Sequence, residues 1–222
     1  MNALIVVVKN PIPGQVKTRL CSRYTADQAA AIYTAFVKDT LAMVREIDGV
    51  TRVIAYDPPD AEAEVRALFG NDFLFVPQVQ ADLGQRMYHA LRQQLASGAE
   101  SAILIGTDIP SLPASMITRA FEVLADRDVV LGPSTDGGYY LVGMSRLCPD
   151  MFLDMPWSTS EVFSRTVQNL EKNRCSYGLV DPWSDVDSPE DLDALISQIA
   201  ADGKASGRPV LTHTLASLSA LS

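Results

Sequence analysis

Leu4-Ile5-Val6-Val7-Val8, closed by Lys9, is an unbroken apolar run in which four of five residues are β-branched. A strand wetted on one face alternates polar and apolar side chains, whereas a strand covered on both faces reads as continuous apolar sequence. The run therefore predicts a strand buried inside a parallel sheet. Working outward, Thr25 with Gln28 three residues later has the pattern of a capping box ahead of an alanine-rich stretch, which predicts a first helix to about residue 46. The alternation continues with predicted strands over 52–56, 73–76 and 102–105 and helices over about 61–69, stopped by Gly70, and 83–95. Pro113 suits the first position of a helix to about residue 125, and 129–131 and 139–144 read as strands, the second of them antiparallel. Ser158 with Glu161, and Ser188 with Pro189, carry start signals for two more helices around a strand near 177–180. Strands alternating with helices in this way predict a parallel-dominated sheet covered on both faces.

The 222 residues suit one domain, and 47% apolar with 20% charged residues is an ordinary globular balance. Residues 1–202 are expected to form that domain. Gly203, Lys204, Ser206, Gly207 and Arg208 then read as a linker, and the rest of 203–222 as a weakly amphipathic, leucine-rich tail that either packs on a neighbour or frays. A formal charge of -9 argues against nucleic acid as a partner. A small phosphate ligand remains compatible, because one or two local cations plus a metal reverse the field inside a cleft. Cys21, Cys148 and Cys175 form no Cys-x-x-Cys pair and are expected to be reduced thiols. The apolar run at 4–8 is far shorter than a signal-peptide core or a membrane span, so a cytoplasmic protein without a membrane span is expected.

Ligands of open α/β sheets bind outside the carboxyl ends of the strands, so the loops there deserve a reading for chemistry. The first runs from Lys9 to Leu20, where Pro11, Pro13 and Gly14 stiffen a turn that ends in Lys17 and Arg19. These are either two surface cations before a helix or a phosphate clamp of side-chain charges. Val16 stands where a P-loop has glycine before its lysine, and no Gly-x-Gly-x-x-Gly follows a strand. The second loop is Gly106-Thr107-Asp108-Ile109-Pro110-Ser111, in which Asp108 is either a turn or helix cap or a strand-end ligand.

The third is Ser184-Asp185-Val186-Asp187-Ser188-Pro189-Glu190-Asp191. The helix dipole accounts for Glu190 and Asp191 but less well for Asp185 and Asp187, which precede the cap. Magnesium takes one or two carboxylates and completes its shell with phosphate and water, and Asp108 and Asp187 could make that pair across the sheet. Whether Asp185 joins them stays open. The fourth, Asp136-Gly137-Gly138-Tyr139-Tyr140, is a hairpin signal, an acceptor-side carboxylate beside approachable backbone, or both. With His89 and His213 the sole histidines and no Gly-x-Ser-x-Gly elbow, histidine base chemistry, zinc and a hydrolase triad are disfavoured.

In series, the loop 11–20, Gly106-Thr107-Asp108, Asp136-Gly137-Gly138-Tyr139-Tyr140, Pro156-Trp157-Ser158-Thr159 and Asp185-Val186-Asp187-Ser188-Pro189-Glu190-Asp191-Leu192 resemble bacterial glycosyltransferase-like proteins of the nucleotide-diphospho-sugar transferase superfamily. The resemblance covers about residues 4–195. It implies the glycosyltransferase A-type fold, a Rossmann-like three-layer α/β/α arrangement around a mostly parallel mixed sheet. A nucleotide would lie over the end of the first strand, with Mg2+ or Mn2+ on strand-end aspartates.

Carried over by position, Lys9, Pro13, Gly14, Lys17, Arg19, Thr107 and Asp108 fall on the nucleotide side, and Asp108 and Asp187 on the metal. Asp136, Gly137, Gly138, Tyr139 and Trp157 fall on the acceptor side. The leading expectation is transfer of a sugar from a nucleotide sugar to a small acceptor, with Lys17 and Arg19 sharing the diphosphate charge and Asp136 as base. One departure favours an alternative. The usual Asp-x-Asp motif is missing, and the single carboxylate of Thr107-Asp108-Ile109-Pro110 is more typical of the nucleotidyltransferase branch, which releases pyrophosphate from a nucleoside triphosphate. Lys17-Thr18-Arg19 also looks like the loop of guanylyltransferases acting on phospholactate-like acids. A non-catalytic nucleotide-binding subunit is the third possibility, and a homodimer is compatible with all three.

Overall fold

A computed structural model of the chain describes residues 1–202 and 210–221. The expected linker from Gly203 to Arg208 lies outside them. The strands are β1 (Asn2–Lys9), β2 (Val50–Asp57), β3 (Leu74–Pro77), β4 (Ala102–Ile105), β5 (Val129–Pro133), β6 (Tyr139–Met144) and β7 (Tyr177–Leu179). The helices are α1 (Ala26–Arg45), α2 (Glu62–Phe69), α3 (Leu83–Ala96), α4 (Ala114–Leu124), α5 (Val162–Lys172), α6 (Pro189–Asp202) and α7 (Thr212–Ser219). They build one seven-stranded sheet in the order β3-β2-β1-β4-β6-β5-β7. All neighbouring strands are parallel except β6, which is antiparallel to both β4 and β5, as expected for the strand at 139–144.

The run that opens the chain is central, paired on one side with β2 and on the other with β4. Leu4, Val6 and Val8 point into a core shared with α1, α2 and α4. Ala3 and Ile5 point the other way, into a core shared with α3 and α5. Both faces are covered, which is why no polar alternation was present to read. This is the Rossmann-like, three-layer α/β/α architecture with a mostly parallel mixed sheet.

A smaller cluster forms on the outer side of α1, where Leu20, Phe36, Val186, Leu192 and Leu211 meet. There α7 folds back onto α1. The Asp39 carboxylate, buried on α1, accepts the His213 and Thr214 backbone N–H groups at 3.0 and 2.8 Å and the Thr214 hydroxyl at 2.7 Å. These bonds satisfy donors at the start of α7 that have no partner within the helix.

The start signals fared unevenly. Thr25 and Gln28 form the reciprocal capping box. Ser188 and Asp191 form another, with the Asp191 N–H on the Ser188 hydroxyl at 3.2 Å and the Ser188 N–H on the Asp191 carboxylate at 2.8 Å. Pro113, expected as the first helical residue, is instead the extended residue before α4. Ser158, expected as a cap, has φ 65° and turns the chain, so α5 begins only at Val162.

Candidate active site

The chain leaves β1 towards β2 and β3 on one side and reaches β4 on the other, so the carboxyl ends of β1 and β4 flank the crevice where such sheets bind ligands. The loop after β1 is shaped before it reaches the crevice. Gln15 N–H donates to the Ile12 carbonyl at 3.0 Å across Pro13 and Gly14, and Gly14 has φ 78°, the arrangement of a type II turn. Pro13 and Gly14 therefore aim the loop, and Gln15, Lys17 and Arg19 face the crevice. Val16 and Leu20 are buried on either side, and Lys17 between them takes a left-handed backbone with φ 46°.

A second segment crosses the same strand ends from the far side. Trp183 N–H donates to the Pro133 carbonyl at 3.0 Å, and Val186 N–H donates to the Asp108 carbonyl at 2.8 Å. Those bonds lay 183–187 across the ends of β5 and β4 and set Asp187 beside Asp108. Between the two carboxylates sits Lys17, whose Nζ is 2.6 Å from Asp108 Oδ1, 2.8 Å from Asp187 Oδ1 and 2.6 Å from the Val186 carbonyl. Its side chain is 4% exposed, whereas that of Arg19 is 77% exposed, with Nη1 3.4 Å from Asp187 Oδ2. Of the two cations expected as a phosphate clamp, one is thus turned onto carboxylates and the other stands open to solvent.

Asp185 points into the same place. Burial, and then the carboxylates of Asp108, Asp136 and Asp187, push it up to about 7. The sequence contained the signal, a carboxylate two positions before Asp187 in an extended segment, but not the crowding. Among the described residues no group of three or more His, Cys, Asp or Glu side chains is arranged to hold a metal ion. Asp108 and Asp187 nevertheless converge on one cation, and both offer hard oxygen donors. That donor set fits Mg2+ or Mn2+ arriving with phosphate oxygens, which needs only one or two carboxylates from the protein.

The crevice opens into two lobes. The smaller, about 280 Å³, is lined by Lys9, Gln15, Arg19, Tyr33 and Thr107 among others. Its wall is fixed by Tyr33, whose buried hydroxyl accepts the Lys9 N–H at 2.9 Å and the Thr107 hydroxyl at 3.2 Å and is pushed up to about 12 by burial. The larger, about 590 Å³, runs between the sheet and α3 and is lined by Arg86, Met87, Asp136, Tyr139, Trp157 and Asp185 among others. Val7, Arg19, Gly106, Asp108 and Asp187 border both.

Residues 134–138 form the tight end of the β5–β6 hairpin, as the Asp-Gly signal predicts, and Ser134, Asp136 and Gly138 wall the larger lobe, while Gly137, expected on the acceptor side, does not line it. Asp136 Oδ1 accepts the Gly138 N–H at 2.9 Å and the Ser134 hydroxyl, and the Ser134 bond holds the carboxyl below its usual range. Gly137 has φ 92°, and a Cβ there would lie 2.3 Å from the Ser160 carbonyl oxygen. Phe163 N–H donates to the Gly137 carbonyl at 2.9 Å, so the hairpin is clipped onto the start of α5. Gly137→Ala is expected to cost about 1 to 3 kcal/mol through the clash and the left-handed backbone, read as a lowered unfolding midpoint. The Tyr140 ring packs over Gly132 and its hydroxyl donates to the Asp181 carbonyl at 2.9 Å, whereas Tyr139, with its hydroxyl buried, belongs to the core on the α3 side and lines the lobe.

Residues 40–159 match the model of a family described as an uncharacterised protein conserved in bacteria, DUF2064. A solved protein of Desulfovibrio desulfuricans G20, provisionally named a nucleotide-diphospho-sugar transferase, is 32% identical over 99% of this chain and 96% of its own, with a TM-score of 0.88. The chain belongs to DUF2064, within the nucleotide-diphospho-sugar transferase superfamily. The DUF2064 chain shares its fold with more distant transferases. CMP:2-keto-3-deoxy-manno-octonic acid synthetase, solved with CTP, is 13% identical over 91% of this chain and 99% of its own, with a TM-score of 0.56. The inositol-1-phosphate CTP transferase of T. maritima is 15% identical over 93% and 97%, with a TM-score of 0.54. No curated protein matches the sequence. Among the described residues of this DUF2064 chain, no helix is long and apolar enough to cross a membrane.

Proposed function

We propose that this chain transfers a glycosyl group from a nucleotide sugar to a small acceptor, with Mg2+ or Mn2+ held by Asp108 and Asp187. The observation that carries the reading is the pair of lobes that meet at Arg19, Asp108 and Asp187. A two-substrate transfer needs two binding spaces and a charge-stabilising point where they join. The nucleoside belongs in the smaller lobe beside Tyr33, the diphosphate at the junction, and the acceptor in the larger lobe against Trp157 and Tyr139. The name carried by the 32% identical relative points the same way.

A bound divalent ion supplies Lewis-acid stabilisation of the departing diphosphate. Arg19, exposed at the junction, donates charge-assisted hydrogen bonds to phosphate oxygens, and Lys9 lines the nucleoside's lobe. Asp136, ionised and on the acceptor side, takes the proton of the acceptor hydroxyl if the anomeric carbon is inverted. Arg19→Ala is expected to weaken a nucleoside diphosphate about tenfold or more while leaving a bare nucleoside unchanged, because one charge-assisted bond contributes about 1.5 to 3 kcal/mol. Equal loss of both ligands in a binding titration would place the effect on folding instead.

Nucleotidyl transfer is the second reading, favoured by the single carboxylate that the end of β4 supplies. Product analysis separates the possibilities, with nucleotide sugars and nucleoside triphosphates offered alongside small acceptors and Mg2+. Nucleoside diphosphate release from a nucleotide sugar supports the first reading, and pyrophosphate release from a triphosphate supports the second. Saturable nucleotide binding without either product makes the chain a non-catalytic subunit.

A further inference from the structure

Lys17 lies in the loop that faces the phosphates, yet its ammonium is turned onto the protein's own oxygens, with hydrogen bonds to Asp187 and the Val186 carbonyl and an ion pair with Asp108. An ammonium carries three protons, and Nζ has three oxygen neighbours at 2.6 to 2.8 Å, one on Asp108, one on Asp187 and one on the Val186 backbone. The exposure of the three side chains gives the direction. Lys17 is 4% exposed, while Asp108 and Asp187 are 45% and 40% exposed. The ammonium therefore lies on the protein side of the carboxylates, and the carboxylates turn outward to the crevice. The stem reaches that position because Val16 and Leu20 are buried on either side and the Lys17 backbone is left-handed, and the Nζ rests 5.7 Å from the Phe36 ring centre.

We infer that Lys17 is the resident counter-ion of the metal carboxylates, which holds Asp108 and Asp187 together from behind and reduces their joint charge from two to one. The consequence is that the pair attracts a free divalent ion weakly and takes one well only in company with a nucleotide's phosphates. Lys17 is a positioning residue on this account, and Arg19 is the phosphate contact. The inference rests on the metal reading of Asp108 and Asp187 and adds the division of labour between the two cations of one loop.

The test measures Mn2+ binding by the loss of the free-ion electron paramagnetic resonance signal, in wild type, Lys17→Met and Lys17→Arg, with and without a nucleoside diphosphate. Methionine keeps the length of the stem without the charge. Lys17→Met is expected to bind Mn2+ alone at least about tenfold more tightly than wild type, since a cation beside the site is removed. Lys17→Arg, which keeps the charge, is expected to stay near wild type. In the absence of metal, a counter-ion and a phosphate-contacting lysine would both lose nucleoside diphosphate affinity in Lys17→Met, so the Mn2+ affinity without nucleotide carries the distinction: a lysine that serves phosphate alone would leave it unchanged.

Equal Mn2+ affinity in wild type and Lys17→Met, with binding evident once nucleoside diphosphate is present, would overturn the counter-ion role and leave the metal reading standing. Absence of Mn2+ binding in every form, with or without nucleotide, would remove both. Amine acetylation of the wild-type protein, read by peptide mass spectrometry, covers the case in which the methionine variant does not fold. Lys17 is expected to remain unmodified while Lys9 reacts, and modification of Lys17 at the rate of Lys9 would overturn the proposal.

Discussion

Asp187→Asn is expected to lower the magnesium-linked affinity for a nucleoside diphosphate at least about 100-fold, and to change the stability of the fold by less than about 1 kcal/mol. The first figure follows from the donor set. Two carboxylates face the junction of the lobes, and removing one charge leaves a divalent ion a single anionic ligand from the pair. Changes to groups that merely support metal ligands typically cost about 10-fold to 100-fold, so loss of a direct ligand belongs at the upper end or beyond. The second figure follows from exposure. Asp187 is 40% exposed, and asparagine still offers an oxygen to Lys17, which retains Asp108 and the Val186 carbonyl. The α6 cap is untouched, because Asp191 supplies its carboxylate. Calorimetric titrations with and without Mg2+ read the difference directly. An unchanged magnesium increment in both Asp187→Asn and Asp108→Asn would remove these residues from the metal.

What the sequence made legible follows the range of the interactions involved. The apolar run of β1 and the Thr25–Gln28 box are local patterns; β1 formed over its run and α1 starts directly after Thr25. The positions of Asp108 and Asp187 were readable because each follows from its place beside a strand end or a cap. The direction of Lys17 was not readable, because it depends on one left-handed residue and on the burial of Val16 and Leu20. It depends equally on a carbonyl supplied by Val186 from the far end of the chain.

Asp185 illustrates the same limit, since its displaced ionisation arises from burial and, beside its neighbour Asp187, from the carboxylates of Asp108 and Asp136 on two other segments. Ser158 shows how a local rule is overridden: the residue has the right side chain for a cap, but the chain must bring 160 and 163 against Gly137, and it turns where a helix would have started. The tail is a further case. Its docking rests on Asp39, a buried carboxylate in the middle of α1 whose partners lie beyond residue 210.

Asp136→Asn is expected to reduce turnover about 100-fold to 10,000-fold, the usual cost of losing a general base, with nucleotide affinity and melting temperature close to wild type. The structure makes this substitution unusually clean. Both bonds that Asp136 accepts fall on Oδ1, from the Gly138 N–H and the Ser134 hydroxyl, and an asparagine oxygen can accept both, more weakly than the carboxylate does. Asparagine also tolerates the turn backbone, so the hairpin and its hydrogen bond from Phe163 N–H to the Gly137 carbonyl persist. The change therefore removes charge and proton affinity and little else. The Ser134 bond cuts both ways for the chemistry: it keeps the carboxylate ionised and aimed, and it weakens the carboxylate as a base by holding its pKa low. A base of that kind works on a hydroxyl whose proton leaves late, as the bond to the anomeric carbon forms, and less well in a reaction that needs the alkoxide first. Steady-state turnover with the cognate acceptor is the measurement. Full activity in Asp136→Asn would make Asp136 a turn residue alone, and the proton of the acceptor would then have to leave without this carboxylate's help.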